Sequence, residues 1–155
     1  SKKVGISKTN CNKIVARLVE ESFLNKEVLG NIWRISCNLK HPYNTTIKIP
    51  YNLSLVYGSG ILEEIYKKIP NSRSIILFGS YRKGDDTSAS DLDIAVEVLN
   101  NESPKIVQLG ILEQFGYRKN VPVNLYTFSR NKVDLNIFSN IVNGIILSGF
   151  LEITI

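Results

Sequence analysis

Short apolar runs separated by polar turns fill the second half of the chain and predict a sheet packed against helices. The run at residues 75–78 ends at Gly79 and Ser80, and a second strand is predicted at residues 91–98. Other elements are predicted from spacing: helices at residues 61–69, 106–115 and 137–147, and a strand at residues 121–128. This order predicts an α/β fold, a mixed sheet with helices on one side.

The first forty residues follow another pattern, a helix and then a hairpin. Ser7 is placed to cap an amphipathic helix over residues 8–23. Residues 24–37 are predicted as two short strands joined by a turn at residues 29–31. Prolines then break the regular pattern, and Lys48 lies in a short run typical of an edge strand. The predicted organisation is a segment 1–40, a linker 41–59 and a second domain 60–155.

Positive charge is concentrated in the front part of the chain. Residues 1–48 contain nine Lys or Arg against three Glu, a net charge of +6, whereas residues 49–155 contain ten against eleven acids, a net charge of −1. A basic segment of this kind is typical of a nucleic-acid-binding surface. The alternative is a surface that only keeps the protein in solution.

Hydropathy and cysteine content favour a cytoplasmic protein. No apolar run approaches the ~18–20 residues that span a membrane, and residues 1–4 contain no apolar signal region. Cys11 and Cys37 are the only cysteines and are expected to stay reduced. Because His41 is the only histidine, neither a Cys/His zinc site nor a His-based triad is expected.

Two carboxylates at the start of a predicted strand give the strongest chemical signal. Asp91 and Asp93 lie two positions apart, so in a strand they point to one face, about 6–7 Å apart along the chain. Like charges so placed repel each other unless a cation neutralises them. A divalent cation, typically Mg²⁺ with a phosphate substrate, is the usual solution. The alternative is an ordinary turn followed by solvated aspartates.

This stretch resembles the signature of the polymerase-β-like nucleotidyltransferase superfamily, and most of all that of the minimal nucleotidyltransferases. Four features agree: the preceding strand, the Gly-Ser pair, the loop length and the Asp-x-Asp that opens a strand. The matching residues are Gly79, Ser80, Tyr81, Arg82, Lys83, Gly84, Ser90, Asp91, Leu92 and Asp93.

The resemblance implies a role for each matching residue. Gly79 and Ser80 would hold the triphosphate of an NTP, expected to be ATP, through backbone N–H groups and a hydroxyl. The two aspartates would bind Mg²⁺, as two ions, beside the phosphates. Arg82 and Lys83 would steady the β- and γ-phosphates, or else lie in a solvated loop. Asp85 and Asp86 are expected to be solvated loop residues and not ligands.

Active members of this superfamily carry a third carboxylate on a later strand, and this chain departs from that pattern. The matching position is Asn124, because Val121, Val123 and Leu125 are predicted to face the core. An amide takes no proton and carries no charge. Asp134 is an alternative acid, although its place at a predicted helix start favours an N-cap. The departure removes the group expected to activate the acceptor hydroxyl. Binding of phosphate and Mg²⁺ is still expected.

The front segment resembles the second half of a winged helix-turn-helix domain. Residues 5–7 match the turn, residues 8–23 the recognition helix and residues 24–37 the wing. Only residues 1–4 stand where a first helix and most of a second are expected, so the segment is a partial domain or a small appendage of the second domain. The resemblance implies DNA contacts from Lys8, Thr9, Asn10, Asn12, Lys13, Arg17 and Arg34.

Three functions remain open from the sequence. The first is an enzyme that transfers a nucleoside monophosphate from an NTP to an acceptor hydroxyl. Minimal nucleotidyltransferases are often antitoxins that modify a HEPN-type toxin, so the resemblance implies a protein acceptor. The second is a nucleotide-sensing transcriptional regulator that binds DNA, and the third is an antitoxin that only occludes its partner. A homodimer is compatible with each, and no membrane partner is expected.

Overall fold

The chain begins with a helix and a hairpin, as the sequence predicts. The computed structural model describes residues 5–99, 103–129, 132–133 and 135–152, and helix α1 spans Lys8–Glu20. The Ser7 hydroxyl caps this helix by accepting a hydrogen bond from the Asn10 N–H (3.2 Å). The helix stops short of residue 23 because Ser22 takes a left-handed conformation (φ 61°). Two antiparallel strands follow, β1 (Leu24–Leu29) and β2 (Ile32–Cys37).

Residues 44–58, placed in a linker by the sequence pattern, are helical. A π-helical segment, Asn44–Lys48, leads into helix α2, Ile49–Gly58, and helix α3 spans Ile61–Lys68. Pro50 lies in the first turn of α2, where its fixed φ is compatible with helical backbone. The proline therefore starts a helix instead of interrupting the chain, and the edge strand predicted at Lys48 is wrong.

The rest of the described chain forms a five-stranded mixed sheet with two further helices. This sheet confirms the predicted α/β class. Its strand order is β5-β6-β4-β3-β7, with β4 and β6 parallel and the other neighbours antiparallel. The elements are β3 (Ser72–Phe78), α4 (Gly79–Lys83), β4 (Leu92–Val98), β5 (Lys105–Phe115), β6 (Arg118–Phe128), α5 (Leu135–Val142) and β7 (Ile145–Gly149). The strands β3 and β4, which carry the predicted site, are thus neighbours inside the sheet.

Helices cover both faces of this sheet. Successive residues at the centre of β3 are all apolar, and since they point alternately to the two faces, both faces must be buried. On one face, Leu77 and Ile94 belong to a buried cluster with Ile65 of α3. On the other face, Ile76 packs in a second cluster with Ile141 of α5. A continuous apolar run is typical of a strand that is buried on both sides. The prediction of helices on one side only is therefore wrong.

Residues 106–115 form part of a strand, and the helix predicted for them is wrong. The strand pairs antiparallel with β6 along its length, and its register shifts between Gln108 and Gly110. A bulge inserts an extra residue, so the side chains after it that face the core are displaced by one position from the alternation before it. Apolar residues on the two sides of the bulge are therefore spaced three or four apart, as on one face of a helix. Ile106 and Ile111 are accordingly 70% and 57% exposed, although the predicted helix turned both inward.

The last predicted helix ends early. Helix α5 stops at Val142, and the residues after Gly144 form β7 beside β3. A Cβ at position 144 would meet the side chain of Ile76 and the carbonyl of Leu77, so glycine permits this close turn. Pairing with β3 therefore overrides the helical spacing of residues 145–147. Among the described residues, no helix combines the length and apolarity needed to cross a membrane.

Replacement of Ile106 separates the observed strand from the predicted helix, because a helix would bury this side chain. Ile106→Ala is expected to change the free energy of unfolding by less than about 0.5 kcal/mol, as at other exposed positions. Ile65→Ala removes a fully buried side chain and is expected to cost about 2–5 kcal/mol. Urea unfolding followed by circular dichroism measures both. A cost as large for Ile106→Ala as for Ile65→Ala would contradict the strand.

Candidate functional site

The predicted site residues meet where β3 ends and β4 begins. Phe78, the last residue of β3, pairs with Asp93 of β4, and Asp93 in turn pairs with Asn124 of β6. Residues opposite each other in a ladder project from the same face of the sheet. Asp91 lies two positions before Asp93 and shares its parity. Strand register therefore brings Asp93 beside Asn124, whereas Asp91 lies one residue before β4 begins at Leu92.

The amide of Asn124 bridges the two carboxylates. Its Nδ2 donates to Asp91 Oδ2 (3.3 Å) and to Asp93 Oδ1 (3.4 Å). The flanking Val123 and Leu125 are buried in the core, as predicted, so Asn124 points to the other face. A neutral donor stands between two like charges and reduces their repulsion.

Gly79 lets the backbone approach Asp93 closely. Its backbone is left-handed (φ 72°), and a Cβ here would lie 2.5 Å from Asp93 Oδ2. A side chain at this position would have to displace the carboxylate. Gly79 also begins α4, which carries Ser80 and the two basic residues Arg82 and Lys83. Gly79, at the start of α4, thus lies directly against Asp93, one member of the acid pair formed by Asp91 and Asp93.

Burial and charge oppose ionisation of Asp93. Burial is the largest influence and raises the pKa of Asp93, the hydrogen bond from Asn124 lowers it, and the charge of Asp91 raises it again. A cation placed against both carboxylates would reverse this balance, because opposite charge favours the ionised form. The acid pair is therefore suited to bind a positively charged ligand.

These donors fit Mg²⁺ that keeps waters and phosphate oxygens among its ligands. In the described ranges, no three His, Cys, Asp or Glu side chains are grouped so as to hold a metal. Mg²⁺ is usually bound through one or two carboxylates plus waters and substrate phosphates, not by an all-protein cage. Asp91 and Asp93 supply that pair of carboxylates, and α4 begins beside them.

The basic residues of α4 differ in their surroundings. Lys83 is exposed at the end of the helix, whereas Arg82 is half-buried. The Nε of Arg82 is buried and has no hydrogen-bond partner in the described part of the chain. A buried donor without an acceptor is unfavourable. Arg82 is therefore better placed than Lys83 to bind an anionic group.

A polar network that the sequence did not predict holds the loop after α4. Lys48 Nζ lies 3.2 Å from Asp86 Oδ1 and donates to the Asp86 carbonyl (2.6 Å). The buried Asn52 donates to the same carboxylate (2.8 Å) and to the Tyr81 carbonyl (3.0 Å). The expectation that Asp86 is a solvated loop residue is wrong. These contacts join positions 29 to 38 residues apart, and no local pattern indicates them.

Of three other charged residues that bear on the predicted site, the structure describes two and brings only Arg118 next to it. Glu97 is buried in β4 and accepts a hydrogen bond from the Ser74 hydroxyl (3.4 Å), away from the acid pair. Asp134, the alternative third acid, lies outside the described residues. Arg118, which no motif marks, donates to the Ser90 carbonyl (2.8 Å), next to Asp91.

The residues predicted to contact DNA belong to α1 and β2, not to the five-stranded sheet. All of them are exposed. Arg17 pairs with Glu21 (2.8 Å) and Arg34 pairs with Glu27 (3.0 Å), so carboxylates already engage these two. The other positions, all on α1, are Lys8, Thr9, Asn10, Asn12 and Lys13.

Comparison with known families identifies the part of the chain that carries the acid pair. A family model described as a nucleotidyltransferase domain matches residues 59–147, more than half of the 155 residues. The match runs from the end of α2 into β7 and leaves out α1 and the β1–β2 hairpin. No curated protein matches the chain.

Neutralising Asp93 is expected to stabilise the metal-free protein at neutral pH. Because its pKa is raised in the folded state, the folded chain holds a proton that the unfolded chain has released, so stability falls as pH rises through this range. Asp93→Asn removes that loss. Thermal unfolding in EDTA should show a higher midpoint, and about 1 kcal/mol corresponds to about 2–4 °C for a chain of this size.

Two controls accompany this measurement. Below the ordinary carboxyl pKa the gain should vanish, because the aspartate is then protonated in both states. Glu113→Gln, at an exposed position of β5, makes the same chemical change away from the site and should leave the midpoint unchanged. An Asp93→Asn midpoint at or below the wild-type value at neutral pH would contradict the expected repulsion.

Proposed function

The chain belongs to the nucleotidyltransferase domain family, and we propose that it transfers a nucleoside monophosphate from an NTP, with ATP as the expected donor, to an acceptor hydroxyl. The observation that carries this proposal is the close approach of Gly79 to Asp93. A turn that binds phosphate must lie beside the carboxylates that hold Mg²⁺ for this reaction, because the metal, when bound, would supply positive charge to the same phosphates.

In this proposal the start of α4 binds the triphosphate. The first N–H groups of a helix have no intrahelical acceptor, and Gly79 presents no Cβ that would keep phosphate oxygens away. The hydroxyl of Ser80 adds a further donor. The guanidinium of Arg82, whose buried Nε has no partner among the described residues, binds the β- or γ-phosphate, and Lys83 adds positive charge.

Asp91 and Asp93 are the proposed ligands of Mg²⁺, bound as two ions. When bound, the metal supplies positive charge against the α-phosphate and the departing pyrophosphate. The acceptor oxygen attacks the α-phosphorus, the bond to the bridging oxygen breaks, and pyrophosphate leaves with that electron pair. Asn124 has no site for the hydroxyl proton, so the proton passes to solvent. The amide instead holds the two carboxylates in place.

A partner protein is the proposed acceptor. The support is the resemblance of the Gly79–Asp93 stretch to the minimal nucleotidyltransferases, whose partners include HEPN-type toxins. A cavity of about 640 Å³ opens beside the turn that precedes Asp91, with Ser88, Tyr117 and Arg118 in its lining. Neither Asp91 nor Asp93 lines this cavity, so the proposal of a protein acceptor rests on the resemblance.

A nucleotide-sensing DNA-binding regulator is the second candidate. The observation that favours it is Asn124, because an amide at the third position permits nucleotide binding without proton transfer. The exposed polar face of α1, at Lys8 and Lys13 for example, would supply the phosphate contacts to DNA. In this alternative, binding of ATP changes the affinity for DNA, and DNA changes the affinity for ATP by the same factor.

Label transfer from α-labelled ATP tests the enzyme. With Mg²⁺ and the protein encoded beside this chain as acceptor, label is expected on the acceptor. Asp91→Ala/Asp93→Ala should lower the rate more than about 100-fold, as when one charge-stabilising group is lost, and EDTA should have the same effect. Glu113→Gln should transfer at the wild-type rate. Absence of label, with ATP still binding in a metal-dependent way, would contradict transfer and favour the regulator.

Asn124→Asp separates a weakened enzyme from a sensor. If the chain transfers slowly, a carboxylate here is expected to raise the rate about 10–100-fold, toward the range of general base catalysis. The third charge should also lower the unfolding midpoint in EDTA, and Mg²⁺ should restore it. Asn124→Ala, which adds no acid, should not raise transfer. If neither protein transfers label, DNA affinity measured by fluorescence anisotropy should fall with salt and respond to ATP.

A further inference from the structure

We propose that Arg118 is a positioning residue that fixes the turn before Asp91 to helix α4, and so sets the distance between the acid pair and the phosphate-binding turn. The proposal rests on the proposed function of that site. Its observation is a fork of hydrogen bonds. Arg118 donates through Nη1 to the Ser90 carbonyl (2.8 Å) and to the Tyr81 hydroxyl, and through Nη2 to the Ser88 carbonyl (3.0 Å).

Asp91 needs such an anchor because it lies outside the strand ladder. The ladder fixes Asp93 through its pairing with Phe78 and Asn124, whereas β4 begins only at Leu92. The turn at residues 87–90 closes on itself, with Ser90 N–H bonded to the Thr87 carbonyl (3.2 Å) and Thr87 N–H bonded to Ser90 Oγ (2.9 Å). These bonds set the shape of the turn but not its place on the protein.

The other end of the fork is a fixed point in α4. Tyr81 follows Ser80 and is buried, with its ring edge-on to Phe115 (centroids 5.5 Å apart). Its carbonyl accepts the hydrogen bond from the buried Asn52 (3.0 Å). Tyr81 is held both by packing and by a hydrogen bond, so a residue that bonds to its hydroxyl and to the Ser90 carbonyl fixes the turn at residues 87–90 relative to α4. Arg118 therefore connects the turn before Asp91 with the helix that begins at Gly79.

The chemistry of the contact explains why arginine stands here. All three acceptors are neutral oxygens that come from two elements, and a planar guanidinium reaches them together with its rigid set of donors. A lysine ammonium carries the same charge but lacks the fixed fork. Arg118→Lys therefore keeps the positive charge near Asp91 and removes most of the forked set of hydrogen bonds. This substitution distinguishes positioning from a simple effect of charge.

Mn²⁺ is the probe for the test, because it can be titrated by electron paramagnetic resonance without any nucleotide. Arg118→Lys and Arg118→Gln are both expected to weaken Mn²⁺ binding about tenfold, the lower end of the effect seen when partners of metal ligands are removed. Tyr81→Phe, which keeps the packed ring and removes the hydroxyl, should weaken it less. Arg73→Lys is the matched control, because Arg73 pairs with Glu152 at the far end of β3, and should bind Mn²⁺ as the wild type does.

Hydrogen exchange separates loss of position from loss of folding. In the Arg118 variants, exchange should increase in a peptide covering residues 84–93 and stay unchanged in residues 72–78. If both variants keep wild-type Mn²⁺ affinity or wild-type exchange in the turn, the positioning role is overturned; the same holds if exchange rises equally in β3. Wild-type protein that binds Mn²⁺ but transfers no label would overturn the proposed function alone. Wild-type protein that binds no Mn²⁺ would overturn both.

Discussion

The register of β4 on β6 is the constraint on which the rest of the site depends, because it sets Asp93 opposite Asn124. A shift by one residue would turn Asn124 into the core and bring the buried Val123 to the acid pair. In the observed register, the Asn124 amide donates to both carboxylates. This neutral donor lets the two like charges lie close together beside a buried strand. Since β4 also pairs with β3, the same strand brings Gly79 into contact with Asp93.

Polar contacts from outside the sheet extend this order to the loop between α4 and β4. Lys48 and Asn52 hold Asp86 on one side, and Arg118 holds Ser90 on the other. The first two precede residue 59, where the family match begins. The nucleotidyltransferase domain of this chain therefore takes part of its support from residues outside the matched range.

The sequence predicted the elements whose signals are local. β3, β4, β6 and the Ser7 cap follow from apolar runs and from a side chain that bonds within its own turn. It could not predict β5, because the bulge before Gly110 gives a strand the spacing of a helical face, or β7, because pairing with β3 decides its form. For the candidate site, the acid pair and Gly79 are visible as a motif. The contacts of Arg118 are not, because they join positions 28 to 37 residues apart.

The amide at position 124 changes the charge of the site while keeping its shape. Three carboxylates within contact would need a bound cation to offset their repulsion, whereas two carboxylates and a donor are tolerated without one. A sensor must be folded and competent to bind its partner in the absence of nucleotide as well as in its presence, and the amide meets that requirement. An enzyme that works only when loaded has less need of it. Asn124 thus favours stability of the protein without a bound cation over proton transfer. A sensor benefits from that stability, whereas an enzyme loses a proton acceptor.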